Sequence, residues 1–510
     1  MVDENKKLSI EDLATFCKKK GFVFQAAEIY GGLSGFFDFG PLGVKLKNNL
    51  KELYRSEFVT KRQDMSEQDG SIITNPKVWK SSGHIDNFGD LVLTTKTSKT
   101  KIRADHFIED TLNIPADGMN AQDIQNLIDE HNLTYNGEEF EEIRDFNLMF
   151  NTQVGADTSK TATAYLRPET CQSIFPNFKI IAEVMRHKLP FGIVQMGKAF
   201  RNEISPRDFV FRCREFEQIE MEYFFNPENE EELTSDILDY EIQFWSAKHQ
   251  DNDDNSMEKI KVLELLNREL LCKTHVYWIV KFMEFLVERV GISFENLRIR
   301  EHVSTELSHY SKGTFDIDYK YPFGFKEMIG IANRGNFDLT EHGKGAKTKM
   351  ELFDEETKSK ILPYCIEPSC GVERFLMAVM FEAYNNDENR GNIVLNFSNK
   401  IAPIKVAVLP LMNKVELTNV AESMFESLID EDIVAVYDKS GSVGKRYARY
   451  DEIGVPYCLT VDYDGIEQGE DFGTVTIRDR NSTKQKRIKI SEVYEIIDKL
   501  IKGKVDFEQL

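Results

Sequence analysis

Long apolar runs are missing from this chain. No stretch holds the roughly 18 uninterrupted apolar residues of a membrane span, so no membrane partner is expected. The opening MVDENKKLSIEDLATFCKKKG has acidic residues and no apolar h-region, which predicts neither a secretory signal nor a transit peptide, and a cytoplasmic location. Cysteine is scarce: seven in 510 residues, at 17, 171, 213, 272, 365, 370 and 458, with no C-x-x-C pair. An odd, scattered set argues against a disulfide framework and for reduced thiols. Cys365 and Cys370 flank IEPS, and nearness alone makes a poor case for a metal. A basic excess is missing too, with 64 Lys and Arg against 86 Asp and Glu and a net charge of -22. Any nucleic-acid surface must therefore be a local gathering of basic side chains.

What is present is a soluble globular composition, 41% hydrophobic and 29% charged, long enough for two or three domains. One stretch organises the reading: AFRNEISPRDFVFRCREFEQIEMEYFF at 199–225. As two antiparallel strands joined at ISPRDF, it puts Arg212, Arg214, Phe216, Gln218 and Glu220 on one face of the second strand. Phe211, Cys213, Ile219, Met221 and Tyr223 take the opposite, core-facing parity, and Arg201 and Glu203 share a parity on the first strand. Phe216 to Glu220 spans about 13 Å, the scale of a nucleotide with a small acyl group. Guanidiniums suit phosphate, an aromatic face suits a base, and carboxylates suit an ammonium or exocyclic amine. A charged hairpin laced with cross-strand ion pairs would show the same residue types.

The wording FRxE, then a loop, then RxxxF resembles motif 2 of the class II aminoacyl-tRNA synthetases, and RNEISPR with REFEQ resembles the glycyl-tRNA synthetase family. The resemblance runs from about residue 10 to the C-terminus with motifs in the family's order. Residues 9–20 predict a short helix capped by Ser9, with Ile10, Leu13 and Phe16 at helical spacing. Pro41 opens a second helix with Val44, Leu46, Leu50 and Leu53 as apolar positions, similar to motif 1, which in class II enzymes builds the dimer interface. Many family members carry paired cysteines around the 77–163 region. This chain has TTKTSKTKIRADH and NLTYNGEE there, so no zinc is expected. AYLRPETCQSIFPNF at 164–178 resembles the family's AYLRPET-AQG-IF, with Cys171 and Ser173 replacing Ala and Gly close to a site built to be small. Acidic PENEEEL opens a helical insertion holding a polar loop at HQDNDDNSMEK and an apolar helix at WIVKFMEFLVERVGI, while His249 and His275 lack partners at metal spacing and read as structural. The run from NLRIREH to NRGNFDL predicts successive strands. CIEPSCGVERFLMAVMFEAY at 365–384 places Arg374 in a first helical turn, where an anion is favoured, and resembles motif 3. After Pro403, strands alternating with helices predict a compact α/β unit similar to the anticodon-binding domain of the glycyl, histidyl, prolyl and threonyl enzymes.

The fold class expected is therefore α+β: a class II antiparallel β-sheet core flanked by helices, with insertions and a C-terminal α/β domain. Its parts are expected at 1–76 with motif 1, 77–163 as an insertion, 164–225 with motif 2, 226–296 as a helical insertion, 297–400 with motif 3, and 401–510 for anticodon binding. The resemblance implies a glycine–tRNA ligase that uses ATP and Mg2+, partnered by tRNA(Gly) and a second copy of itself. Arg201 and Arg374 would be catalytic, on the α- and γ-phosphates. Asn202, Glu203, Phe211, Arg212, Phe216, Glu327, Met328 and Gly371 would join them around ATP, with Phe216 stacking on adenine, Glu203 accepting from its amine and Mg2+ near Glu327. Glycine would meet Arg103, Glu169, Phe216, Gln218, Glu220, Arg334, Glu367 and Ser369, with Arg334 forking the carboxylate and the three glutamates, raising one another's pKa, around the ammonium. Lys445, Arg446 and Arg449, and separately RDRNSTKQKR, are the basic clusters that tRNA could meet. A class II synthetase for another small amino acid, or a silent relative serving as an RNA-binding accessory subunit, would share much of this pattern. The silent relative would be expected to lose phosphate-binding arginines, which remain here at 201, 212 and 374.

Overall fold

The computed structural model describes residues 8–114, 116, 118–156, 163–252, 254–303, 313–354 and 357–510. Nine strands form the central sheet. Their spatial order is Glu258–Lys261, Glu241–Trp245, Leu297–Glu301, Thr314–Tyr321, Gly324–Gly335, Tyr364–Gly371, Glu215–Phe225, Phe191–Phe200 and Met65–Gln68. Neighbours are antiparallel except Glu241–Trp245 beside Leu297–Glu301 and Met65–Gln68 beside Phe191–Phe200. Alternation decides the two faces. Ile219, Met221 and Tyr223 turn to the larger core, which the helices Pro41–Arg55, Lys273–Glu284 and Val372–Ala383 close with Leu46, Leu50, Tyr54, Trp278, Phe282, Phe375 and Leu376. The opposite face is capped at one end by Ile174–Met185, whose Ile174, Phe175 and Phe178 pack on Phe191, Ile193 and Phe224. Its other end is open, and the charged residues of the synthetase-like motifs stand there.

Helix starts follow their local signals. Ser9 accepts from the Asp12 N–H at the head of Ile10–Lys20, and Pro41 opens Pro41–Arg55. Val44 departs from the expected apolar stripe and is exposed, because the inward line of that helix runs through Leu46, Lys47, Leu50 and Tyr54. Lys47 and Lys51 both reach Glu217 from below, with Lys51 Nζ 2.7 Å from Glu217 Oε2. The residues around 77–163 carry a small sheet of Gly89–Thr94, Lys101–Arg103 and Arg144–Asn147 and a core of their own, built from Leu93, Phe107, Ile108, Ile124 and Ile128.

The stretch 226–296 is less helical than expected. Glu241–Trp245 and Glu258–Lys261 extend the central sheet, with Ile242 and Phe244 buried at alternate positions. Among the described residues there, only Lys273–Glu284 and its continuation to Val290 form a long helix. The expected strand run after residue 297 is present on either side of 304–312, which lie outside the described residues.

The C-terminal unit has a five-stranded sheet in the order Ala435–Tyr437, Val406–Pro410, Tyr457–Val461, Thr474–Asp479 and Gln485–Lys489. Val415–Asp430 and Val493–Lys502 complete its core through Leu417, Met424, Ile497 and Leu500. Buried Arg480 ties it to the preceding segment, donating to the carbonyls of Gly454 at 2.8 Å and Phe397 at 2.7 Å. No helix among the described residues is long and apolar enough to cross a membrane.

Candidate active site

Three neighbouring strands make the floor. Glu220 pairs with Ser369, which in turn pairs with Gly330, and Glu367 pairs with Ala332. Gln218, Glu220, Glu367 and Ser369 consequently rise from one face, and the small residues at 330 and 332 leave space above it. A cavity of about 230 Å³ opens there, with Arg201, Arg212 and Arg374 at one end and Glu169, Glu220 and Glu367 at the other. A larger cavity of about 620 Å³ lies around Arg62, Asp64, Glu230 and Tyr277. There Arg62 pairs with Asp64, and Glu230 accepts from the Thr274 N–H and hydroxyl.

The hairpin geometry departs from a simple two-strand parity. Its strands end at Phe200 and resume at Glu215, which places Arg201, Glu203, Phe211 and Arg212 in the connecting loop. Asp208 and Phe209 both take left-handed backbone, at φ 59° and 56°, and a short turn follows over Phe209–Phe211. That twist brings Phe211, Arg212 and Cys213 to the cavity together, while Cys213 stays buried in the core and Phe211 packs against it, as expected of them. Arg214 instead holds the loop, donating to the carbonyls of Glu203 and Ser34.

At the basic end, Arg374 Nη1 lies 3.0 Å from Glu327 Oε2, and its guanidinium stands 4.4 Å from the Phe211 ring centre. Arg201 donates from Nε to the Pro168 carbonyl at 3.0 Å and faces the Phe216 ring at 5.4 Å. Glu203 Oε2, 3.6 Å from Arg212 Nε, and Gln218 Oε1 are buried without a hydrogen-bond partner among the described residues. Unsatisfied buried acceptors are costly, and both line a cavity where a ligand N–H could reach them.

At the acidic end each carboxylate already has partners. Glu220 Oε2 accepts from the Thr170 N–H at 2.7 Å, the Thr170 hydroxyl at 2.5 Å and the Cys171 N–H at 2.6 Å, while Oε1 accepts from the Ser369 hydroxyl at 3.0 Å. Burial, with Glu169 nearby, still pushes its pKa up. Burial likewise pushes Glu367 up to about 7, Glu220 and Glu169 adding to the effect and Arg334 opposing it. Glu169 goes the other way: burial would raise it, but His84, Arg334 and the Cys171 thiol hold it below the ordinary range. The expectation that all three raise one another is thus corrected for Glu169. Behind them Glu222 is fully buried, its pKa raised well above the ordinary range by burial and by Glu367, and it accepts from the Cys365 thiol at 2.8 Å.

Several expected residues sit elsewhere. Arg334 lines the cavity, yet it forks Asp338 at 2.7 and 2.9 Å and meets Glu367 at 2.8 Å, so the fork implied for a ligand carboxylate is engaged within the protein. Arg103 forks Asp105 and reaches Asp90 at 3.2 Å in the neighbouring small sheet, outside the cavity lining. Met328 points to the core, on the side of the strand away from Glu327, and is fully buried. Asn202 gives its N–H to the Leu148 carbonyl and does not line the cavity. Ser173 turns its hydroxyl away from the acidic end toward Gln195 Oε1 at 2.5 Å and the Thr170 carbonyl. Gly371 lines the cavity beside Arg374. Val210, Cys213 and Glu373 line it without having been anticipated. Glu373 could have been suspected as the neighbour of Arg374 in the same helical turn; its carboxylate accepts from the Glu217 N–H at 2.8 Å.

In the C-terminal unit, Lys445 is exposed and Arg449 pairs with Asp438. Arg446 is 1% exposed and donates to the carbonyls of Asp438 and Leu411, which removes it from any surface patch. The second basic run is absorbed similarly, Arg478 by Asp451, Arg480 by carbonyls and Arg487 by Asp462. His275 donates from Nε2 to the Ile331 carbonyl, and His249 bonds Ser246.

Comparison with known proteins agrees with this arrangement. A family profile described as "tRNA synthetase class II core domain (G, H, P, S and T)" matches residues 154–384, and one described as "Anticodon binding domain" matches residues 405–500. The chain is 43% identical over 494 residues to the glycine–tRNA ligase of Ureaplasma parvum serovar 3, covering 95% of this chain and 94% of that protein. It is 41% identical over 506 residues to that of Borreliella burgdorferi, covering 98% and 99%. It is 42% identical over 496 residues to that of Malacoplasma penetrans, covering 96% and 97%. Likeness of this degree over nearly the whole length, joined to a cavity with guanidiniums at one end and carboxylates at the other, means that the chain belongs to the glycine–tRNA ligases, with a class II synthetase core and an anticodon-binding domain.

Proposed function

We propose that the cavity joins glycine to ATP and that the chain then loads the glycyl group onto tRNA(Gly). A glycine carboxylate oxygen bonds to the α-phosphorus as the bond to the bridging oxygen breaks, and pyrophosphate departs with that electron pair. The 3′-terminal ribose hydroxyl of the tRNA then attacks the glycyl carbonyl, the bond from that carbon to the phosphate oxygen breaks, and AMP leaves with the electron pair while the hydroxyl proton passes to the departing phosphate or to water. Negative charge gathers on the phosphoryl oxygens in the first step, and fixed cations are the main help a protein can offer there. Arg201 takes the α-phosphate and Arg374 the γ-phosphate. Phe216 and Phe211 offer faces to adenine, with Arg212 beside the phosphates and Glu203 accepting from the exocyclic amine.

The observation that carries this reading is the polarity of one cavity: Arg201, Arg212 and Arg374 at one end, and at the other Glu169 from a loop with Glu220, Glu367 and Ser369 from adjacent strands. The acidic end suits an ammonium, and a floor this crowded suits the smallest amino acid, since rejecting a larger one is steric. Glu327, partly exposed beside Arg374, offers one carboxylate oxygen, which fits a hydrated Mg2+ carried on the phosphates. That ion would supply further neutralisation of the phosphate charge.

Ile29 and Tyr30, 89% and 87% exposed, together with Leu33 and Val44, present apolar surface beside the helix Pro41–Arg55, which supports a homodimer through this region. Lys445 is the basic residue of its cluster left free for RNA. A cytoplasmic location follows from the work in translation.

ATP–pyrophosphate exchange with each amino acid tests the substrate, and exchange driven by proline but not glycine would reject it. Arg201→Ala and Arg374→Ala are expected to lower glycine-dependent exchange roughly 100-fold or more. Wild-type rates in both would remove the assignment of the phosphate site.

A further inference from the structure

The first part of the 77–163 region, residues 84–106, comes back over the cavity and lays a side chain on each of three charged groups that line it. His84 Nε2 stands 3.2 Å from Glu169 Oε1. The Phe88 ring centre is 5.6 Å from the Arg201 guanidinium. His106 Nε2 accepts from Arg212 Nη1 at 3.1 Å. Among the described residues that line the cavity none of these three is found, so each can influence a ligand only through the residue it touches.

The two histidines are held for that purpose. His84 is wedged between Trp79 and Phe88, at ring separations of 5.4 and 5.1 Å, and its Nδ1 is 2.8 Å from the Ser82 hydroxyl. With its proton on Nε2 the ring donates to Glu169 while Nδ1 accepts from Ser82. The Cys171 thiol, at 3.0 Å, is the other donor to the same Glu169 oxygen. His106 is kept neutral, its pKa pushed down to about 3 by burial and then by Arg103 and Arg212 against the pull of Asp105. Its Nε2 lone pair is thereby free to receive the Arg212 N–H. Its Nδ1 is buried without a hydrogen-bond partner among the described residues. A residue kept only for packing would avoid that loss.

We propose that residues 84–106 act as a brace with divided labour: His84 positions Glu169 for the ammonium of the amino acid, and His106 positions Arg212 for the nucleotide. The proposal rests on the assignment of Glu169 to glycine and Arg212 to ATP made above. Both histidines are positioning residues, and a charge-assisted hydrogen bond of this kind is worth about tenfold or more in binding when it orients the group that meets the ligand.

Glycine-dependent ATP–pyrophosphate exchange by the full-length protein separates the two roles. His84→Ala is expected to raise KM for glycine roughly tenfold and leave KM for ATP within about twofold, and His106→Ala to do the reverse. His84→Gln still donates an amide N–H and His106→Gln still offers a carbonyl oxygen, so each should recover most of its loss. Melting curves accompany every variant. If an alanine variant does not fold, His84→Asn or His106→Asn, too short to reach the partner, takes its place. Equal changes in both KM values, no change in either, or a fall in kcat alone would overturn the brace. Glu169→Gln and Arg212→Ala are measured alongside. If they leave KM for glycine and for ATP unmoved, the substrate assignment fails and the brace with it; if they move them while the histidine variants do not, the brace alone fails.

Discussion

Lowering the pH from about 8 to about 6 is expected to raise KM for glycine roughly tenfold. The ammonium of glycine needs ionised carboxylates, and at the acidic end Glu367 titrates in this range, pushed up from 4.5 to about 7 by burial, with Glu220 and Glu169 adding and Arg334 opposing; Glu373, likewise raised to about 7 by burial, lines the cavity next to Arg374 in sequence. At about pH 8 roughly nine in ten of these carboxyls are ionised and at about pH 6 roughly one in ten, so the competent fraction falls about tenfold. Glu220, also raised by burial, steepens the slope, and the acidic group titrates as a unit. Glu169, held low, keeps one charge in place, so capture weakens without vanishing.

The sign carries over to stability. A carboxyl whose folded pKa lies above its unfolded value binds an extra proton in the folded state, so its contribution is lost as pH rises from about 4.5 through about 7. Glycine should therefore raise the melting temperature more at about pH 8 than at about pH 6. The assay is glycine-dependent ATP–pyrophosphate exchange across that range, with thermal melts at both ends. Glu367→Gln should weaken glycine throughout and flatten the profile. A KM for glycine that stays level in the wild type, or an unchanged midpoint in Glu367→Gln, would refute the argument.

Two other outcomes follow from close packing and from buried arginine. A Cβ at Gly70 would stand 2.5 Å from Ser173 Oγ, so Gly70→Ala should cost about 1–3 kcal/mol in denaturant melts but much less in a Ser173→Gly background. Strict additivity would mean that the two positions do not meet. Arg446→Ala should lower stability by about 2 kcal/mol by stranding the carbonyls of Asp438 and Leu411, whereas Lys445→Ala should leave the melt alone and weaken tRNA binding. Filter binding beside thermal melts would separate them, and an Arg446→Ala variant of normal stability would contradict the burial argument.

The parts of the site that lie on regular elements were legible in the sequence. Gln218 and Glu220 follow strand parity, and Arg374 follows from a helix that begins at Val372. The loop between the strands was not, because two left-handed residues at 208 and 209 bring Phe211 and Cys213 to the cavity while both still pack on the core, a double contact that strand parity does not foretell. Strand Glu241–Trp245 was hidden because its two-residue alternation is short and sits among acidic residues. Basic clusters misled for a different reason. The partners of Arg446, Arg478 and Arg480 are carbonyls or a carboxylate brought near only by folding, so nothing in their spacing distinguishes them from a surface patch. His84 and Glu169 are also distant in the chain, and no local pattern joins them.

Lys47 and Lys51 converge on Glu217, directly under the strand that carries Phe216 and Gln218. This duplication gives the floor redundancy. With either ammonium gone the other still neutralises the carboxylate, so a single substitution in the helix is absorbed. Only when both are lost is a charge stranded out of water, and the penalty then arrives whole.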